Sequence, residues 1–158
     1  MIAWRVILLA LILALAACAS MAPQNVTPRN IATLHSEAAR AYTAGRWDQA
    51  AALYAQLAEK VPQDGETLLR LGNSLAQLGR WDLAAQAYTQ SLTQEPQNAK
   101  AAYDLAVARL AQAQEAARWA VQAAPEASLL QERARHAADL LQHAQKDLEQ
   151  PNSQGAQP

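Results

Sequence analysis

The side chains able to do chemistry in this chain are few and scattered. Cys18 is the single thiol, so no internal disulfide framework exists. His136 and His143 stand seven residues apart, two helical turns or about 10.5 Å, too far to share one metal ion without further ligands. His35 lies in a distant segment, and no Gly-x-Ser-x-Gly elbow is present. Ser74 and Ser91 fall inside apolar periodic stretches, where packing explains them. Gly45, Gly65, Gly72, Gly79 and Gly155 form no phosphate-cradling string. Asp48 and Asp82 each follow Gly-Arg-Trp, so they are equivalent positions near helix starts, not an acid–base pair. Lys and Arg are dispersed and the net charge is −1, which offers no stripe for nucleic acid. The expectation is a protein that is not an enzyme, with no cofactor and no metal.

The elements that carry these residues repeat. Gly45-Arg46-Trp47-Asp48 recurs as Gly79-Arg80-Trp81-Asp82, Ala50-Ala51 as Ala84-Ala85, Tyr54 as Tyr88, and Pro62-Gln63 as Pro96-Gln97. Every pair is offset by 34 residues, with 12 identities between 31–64 and 65–98. Each unit runs from an apolar helical stretch through Gly to a second, Ala-rich stretch and then Pro. Leu68, Leu71, Gly72 and Leu75 share one helical face. Gly72 is small where a partner helix must come close. Gly45 and Gly79 suit a left-handed position that ends the first helix. Pro62 and Pro96 end the second, because Pro offers no N–H and restricts the residue before it. Trp47 and Trp81 read as structural wedges at the turn, and Ala50 with Tyr54, like Ala84 with Tyr88, as a small contact followed by a large filler.

Period and pattern resemble the tetratricopeptide repeat, a helix–turn–helix unit. The resemblance covers 31–98 strongly and 99–125 weakly. It implies an all-α fold: an α-solenoid fragment of antiparallel helix pairs with a long helical C-terminal cap. The third unit is degenerate, since Ala113 stands where Gly79 would recur and Pro125 arrives five residues early. A long helix over about 99–124 is expected there, then a capping helix over 126–149. The cap's expected apolar stripe is Leu129, Leu130, Arg133, Ala137, Leu140, Leu141, Ala144 and Leu148. Residues 150–158 carry no pattern and read as a disordered tail. Trp119 breaks the repeat register and fits either a capping core or an exposed edge.

In tetratricopeptide-repeat proteins the first helix of each pair lines a concave groove. Carried onto this chain, the resemblance implies a partner-binding groove at His35, Ala39 and Tyr42; Glu66, Leu69, Arg70, Asn73 and Gln77; and Lys100, Tyr103, Val107 and Leu110. Leu69, Tyr103 and Val107 would form its apolar centre. The pattern departs from carboxylate-clamp members, with Ala39 and Asp104 where a clamp would want Asn or Arg.

The N-terminus reads as an address. Val6–Leu15 is an unbroken apolar run of ten residues, too short to span a membrane but suited to a signal h-region. It ends in Leu15-Ala16-Ala17-Cys18, which resembles the bacterial lipobox. That implies a signal peptide over 1–17, a diacylglycerol on the Cys18 sulfur, and acylation of the new amino group, giving stable anchoring. The alternative is cleavage after Ala19 and release of a soluble periplasmic protein. Ala19, not Asp, follows the Cys, which by resemblance favours the outer membrane facing the periplasm. Residues 18–30 read as the lipidated Cys and a flexible tether. The sum is a lipid-anchored adaptor that binds a protein or peptide in the cell envelope during assembly of a pilus or secretion machine. The alternative is a self-associating lipoprotein, a homo-oligomer organising envelope or peptidoglycan enzymes.

Overall fold

The computed structural model describes residues 30–149. Among these residues there are six helices and no strand: α1 (Ile31–Thr43), α2 (Trp47–Lys60), α3 (Gly65–Gln77), α4 (Trp81–Gln94), α5 (Ala99–Ala123) and α6 (Leu129–Glu149). Each packs on the next in chain order, with a smaller contact between α3 and α5. This is the all-α stack of antiparallel helix pairs that the 34-residue period implies. Cys18 and the segments 1–17, 18–29 and 150–158 lie outside the described residues.

The repeated glycines make the repeated turns. Gly45 and Gly79 take φ of +67° and +68°, a region costly for any residue with a Cβ. The Arg46 N–H donates to the Ala41 carbonyl at 2.9 Å and Gly45 N–H to Tyr42 at 3.0 Å. The second turn repeats this with Arg80 to Leu75 and Gly79 to Ala76, both at 2.9 Å. Paired bonds of this kind satisfy the carbonyls left open at a helix end. Helices α2 and α4 end at Lys60 and Gln94, two residues before Pro62 and Pro96.

Two apolar clusters form the core. The first joins Leu34, Ala38, Ala41, Ala50, Leu53, Tyr54 and Leu57 within the first pair. The second joins Leu69, Leu75, Ala84, Ala85 and Tyr88 to Ala101 and Ala108 of α5. Leu71 packs against both, so one core runs through the stack. Polar contacts also cross between repeats. Arg80 Nη2 donates to Asp48 Oδ1 at 3.1 Å, Gln112 Nε2 donates to Asp82 Oδ1, and the buried Ser91 hydroxyl donates to the Gly65 carbonyl at 2.8 Å. Asp48 and Asp82 thus sit in first helical turns, as expected, and also tie each repeat to the next element.

The C-terminal third departs from the sequence reading in two ways. Helix α5 is itself the long helix expected over about 99–124, running with Ala at 113 past the point where Gly45 and Gly79 end theirs. The capping helix then starts at Leu129, not at 126. Ser128 Oγ accepts from the Gln131 N–H at 3.1 Å while Gln131 Oε1 accepts from the Ala127 N–H at 3.2 Å. This reciprocal arrangement sets the first turn of α6.

The second departure concerns which face of α6 is buried. Gln131, Ala134, Ala138 and Leu141 turn inward, with Leu129, Leu130, Ala137, Leu140 and Ala144 exposed. The expected stripe is therefore largely solvent-facing. Gln114 Nε2 donates to the Leu141 carbonyl at 3.0 Å, fixing α6 against the distal half of α5. Helix α6 runs back along α5 until Leu148 lines a cavity with Tyr103 and Val107, while Ala102 and Ala106 of α5 stay exposed. Trp119 is 71% exposed and fills no core.

Candidate partner-binding groove

The first helices of the pairs bring Tyr42, Asn73 and Lys100 to one side of the stack. Asn73 sits between two repeats: its Nδ2 donates to the Tyr42 hydroxyl at 3.2 Å, and its Oδ1 accepts from the Tyr88 hydroxyl at 2.9 Å. The amide thus has both ends occupied, and its position is fixed from two sides. The Tyr42 ring meets Trp47 edge-on at 5.3 Å and Tyr54 at 6.1 Å. The Arg70 guanidinium lies 5.6 Å from the Tyr42 ring centroid and bonds Glu66 Oε1 at 2.5 Å. Lys100 and Asp104 pair at 2.5 Å one turn apart.

Burial and charge set the ionisation of this cluster. Burial raises the Tyr54 hydroxyl above its ordinary value, with Arg70 opposing. Its oxygen is enclosed and makes no hydrogen bond. Tyr88 is pushed up further, first by burial and then by the Asp104 carboxylate. Arg70 is raised by its hydrogen bond to Glu66.

A cavity of about 310 Å³ opens on this side, lined by Tyr42, Trp47, Asn73, Gln77, Trp81, Lys100, Asp104 and Val107. A second cavity, also about 310 Å³, is lined by Trp81, Tyr103, Val107, Leu110, Gln114, Arg118 and Leu148. Trp81 and Val107 line both, so the two cavities adjoin, and together they make a groove in two halves between Tyr42 and Leu148. Its first half is polar with aromatic walls. Its second half is mainly apolar, with Arg118 exposed at the edge.

Of the groove residues expected from the sequence, Tyr42, Asn73, Gln77, Lys100, Tyr103, Val107 and Leu110 line these cavities. Arg70 and Glu66 pair beside Tyr42. His35 is exposed on α1, Ala39 is half-buried, and neither lines a cavity. Leu69 is a correction: it is only 4% exposed and belongs to the second core cluster, so it offers no surface to a partner. Helix α3 touches α2, α4 and α5 and is covered on more sides than α1. Trp47 and Trp81, expected only as wedges, are half-buried and also form groove walls. Asp104, which stands at a clamp position in the sequence, and Leu148 also line the cavities without being among the expected groove residues. The spacing of Asp104 from Lys100 is the signal that would have placed it, whereas nothing in the sequence placed Leu148 at the same cavity as Trp81.

Among the described residues no three His, Cys, Asp or Glu side chains gather as a metal site. No described helix is long and apolar enough to cross a membrane. No curated protein matches the chain. The tetratricopeptide repeat family model matches residues 36–99 and, in a second placement, 69–112. The two matches cover most of both helix pairs and the first half of α5, whereas Gln114, Arg118 and Leu148 of the second cavity lie outside them. Residues 36–112 of this chain are similar to tetratricopeptide repeats.

Proposed function

We propose that this protein is a membrane-anchored adaptor whose groove holds a segment of a protein partner in the bacterial cell envelope. The observation that carries the reading is the groove formed by two adjoining cavities between Tyr42 and Leu148. Its walls are rigid aromatic rings, which contribute contact area at low entropic cost. The floor is an amide locked by two tyrosines. Preformed walls of this kind reduce the ordering cost of binding. The polar half suits backbone and polar side chains of a peptide, and the half bounded by Trp81, Tyr103 and Leu148 suits an apolar anchor. Tetratricopeptide repeats mediate protein–protein contact, which supports the adaptor role over a catalytic one. The anchoring rests on the lipobox-like Leu15-Ala16-Ala17-Cys18, with acylated Cys18 holding the chain at the outer membrane facing the periplasm. Assembly of a pilus or secretion machine is the setting this combination fits.

The test is photo-crosslinking in living bacteria from Gln77, which is exposed and lines the groove, with the exposed Gln56 of α2 as control. A discrete adduct from Gln77 and not from Gln56 is the expected result. Equal labelling of unrelated proteins from both positions would refute a specific groove. Mass spectrometry of the mature chain checks the anchor: acyl chains on Cys18 are expected, and a free amino terminus at Ser20 would refute it.

A further inference from the structure

Helix α6 has two apolar stripes and uses only one. Gln131, Ala134, Ala138 and Leu141 face α5. At 3.6 residues per turn, Arg133, Ala137, Leu140, Ala144 and Asp147 form a second stripe about a third of a turn away. All five are exposed, and Leu140 keeps 57% of its surface. Leu129 and Leu130 extend the apolar surface at the start of the helix, each about as exposed as Leu140. The terminal element of a helical stack ordinarily shows solvent a polar face. Here a leucine stands at the centre of the uncovered stripe, flanked by alanines that let a second helix approach closely.

The charges on this stripe specify its occupant. Arg133 and Asp147 lie seven residues to either side of Leu140, about 10.5 Å in each direction along the axis. Neither takes part in an ion pair among the described residues. A helix carrying + / Leu / − at equal spacings is complementary to its own antiparallel copy. We infer that the chain forms a homodimer in which α6 packs antiparallel on α6 of a second copy, with a two-fold axis near Leu140. The axis sets Arg133 against Asp147 of the partner subunit, and symmetry makes that contact twice. Parallel pairing would set like charges against each other at both ends and so is disfavoured. The groove residues are not on this stripe, so the dimer leaves them open, and the inference does not rest on the adaptor reading.

The test is cysteine cross-linking of the full chain in cells, with wild type reporting anything Cys18 does alone. Leu140→Cys is expected to give a covalent dimer above that background, and Gln56→Cys is not. Two differently tagged chains, one Arg133→Cys and one Asp147→Cys, are expected to cross-link to each other and not to themselves. In the Leu140→Cys background, Arg133→Asp is expected to weaken dimer formation about tenfold by creating two like-charge contacts, and adding Asp147→Arg to restore it. No dimer from Leu140→Cys, self-adducts of Arg133→Cys, or indifference to Arg133→Asp would each overturn the proposal. All these positions are exposed, so loss of fold does not mimic the negative result. A partner adduct at Gln77 persisting in a chain that does not dimerise would separate failure here from failure of the groove.

Discussion

The Tyr88 ring occupies the space that a side chain on Gly72 would need: a Cβ there would lie 2.5 Å from Cε1 and 2.6 Å from Cδ1. Helices α3 and α4 meet at this point, and Tyr88 is held by its hydrogen bond to Asn73 as well as by packing. Gly72→Ala is therefore expected to destabilise the fold. Overpacking costs about 1–3 kcal/mol, against a helix-propensity gain of about 1 kcal/mol. The check is a urea titration, in which the midpoint should fall with the slope unchanged. A midpoint at or above wild type would mean that the Tyr88 ring can move aside, and that the groove wall is softer than its contacts imply.

Asn73 and Tyr88 should behave as one unit. The Tyr88 hydroxyl is buried, and Asn73 is its only hydrogen-bond partner among the described residues. Asn73→Ala leaves that hydroxyl unsatisfied, at a cost of about 1–3 kcal/mol. Tyr88→Phe removes the hydroxyl and keeps the ring, so in that background Asn73→Ala should cost clearly less. A double-mutant cycle measures the difference. Strict additivity would show that the hydrogen bond contributes nothing to stability.

The repeat boundaries were legible because they depend on backbone constraints that few residues satisfy. Gly45 and Gly79 adopt positive φ, and Pro62 and Pro96 follow the ends of α2 and α4 by two residues. Side-chain placement was less legible where it depends on neighbours. Leu69 occupies the same repeat position as His35 and Tyr103, both exposed, yet it is buried because α3 is covered by α2, α4 and α5. The face of α6 was misjudged for a related reason. A helix rich in Leu and Ala contains two overlapping apolar stripes, and only the position of α5 decides which is used. The start of α6 was written in Ser128-Leu129-Leu130-Gln131, whose spacing is that of a reciprocal cap.

Alkaline pH should destabilise the protein through Tyr54 and Tyr88. Both folded-state values are raised above the ordinary 10.0, chiefly by burial. Above that value the unfolded chain releases protons that the folded chain retains, so stability falls as pH rises. The contribution is intact below pH 10 and is lost as pH climbs from there towards the folded values. Urea midpoints measured across this range should decline, and Tyr88→Phe should decline less steeply than wild type. Equal slopes would show that Tyr88 ionises in the folded state without resistance.

The junction between α5 and α6 turns on two adjacent residues with opposite tolerances. Ala127 has φ of +53°, the only non-glycine among the described residues with positive φ. A left-handed conformation costs an L-residue about 1–2 kcal/mol, while glycine adopts it freely at some entropic cost in the unfolded chain. Ala127→Gly should therefore be neutral or stabilising by a few tenths of a kcal/mol. Ser128→Ala deletes the acceptor for the Gln131 N–H and should cost about 1 kcal/mol, the usual loss of an N-cap. Hydrogen exchange locates the effect: Ser128→Ala should speed exchange in the first turns of α6 and leave the α1–α4 amides unchanged. Because α6 packs chiefly on α5 among the described residues, it is the element expected to open locally before the stack unfolds. If exchange accelerated equally in α1 through α4, α6 would instead be part of one cooperative unit with the repeats.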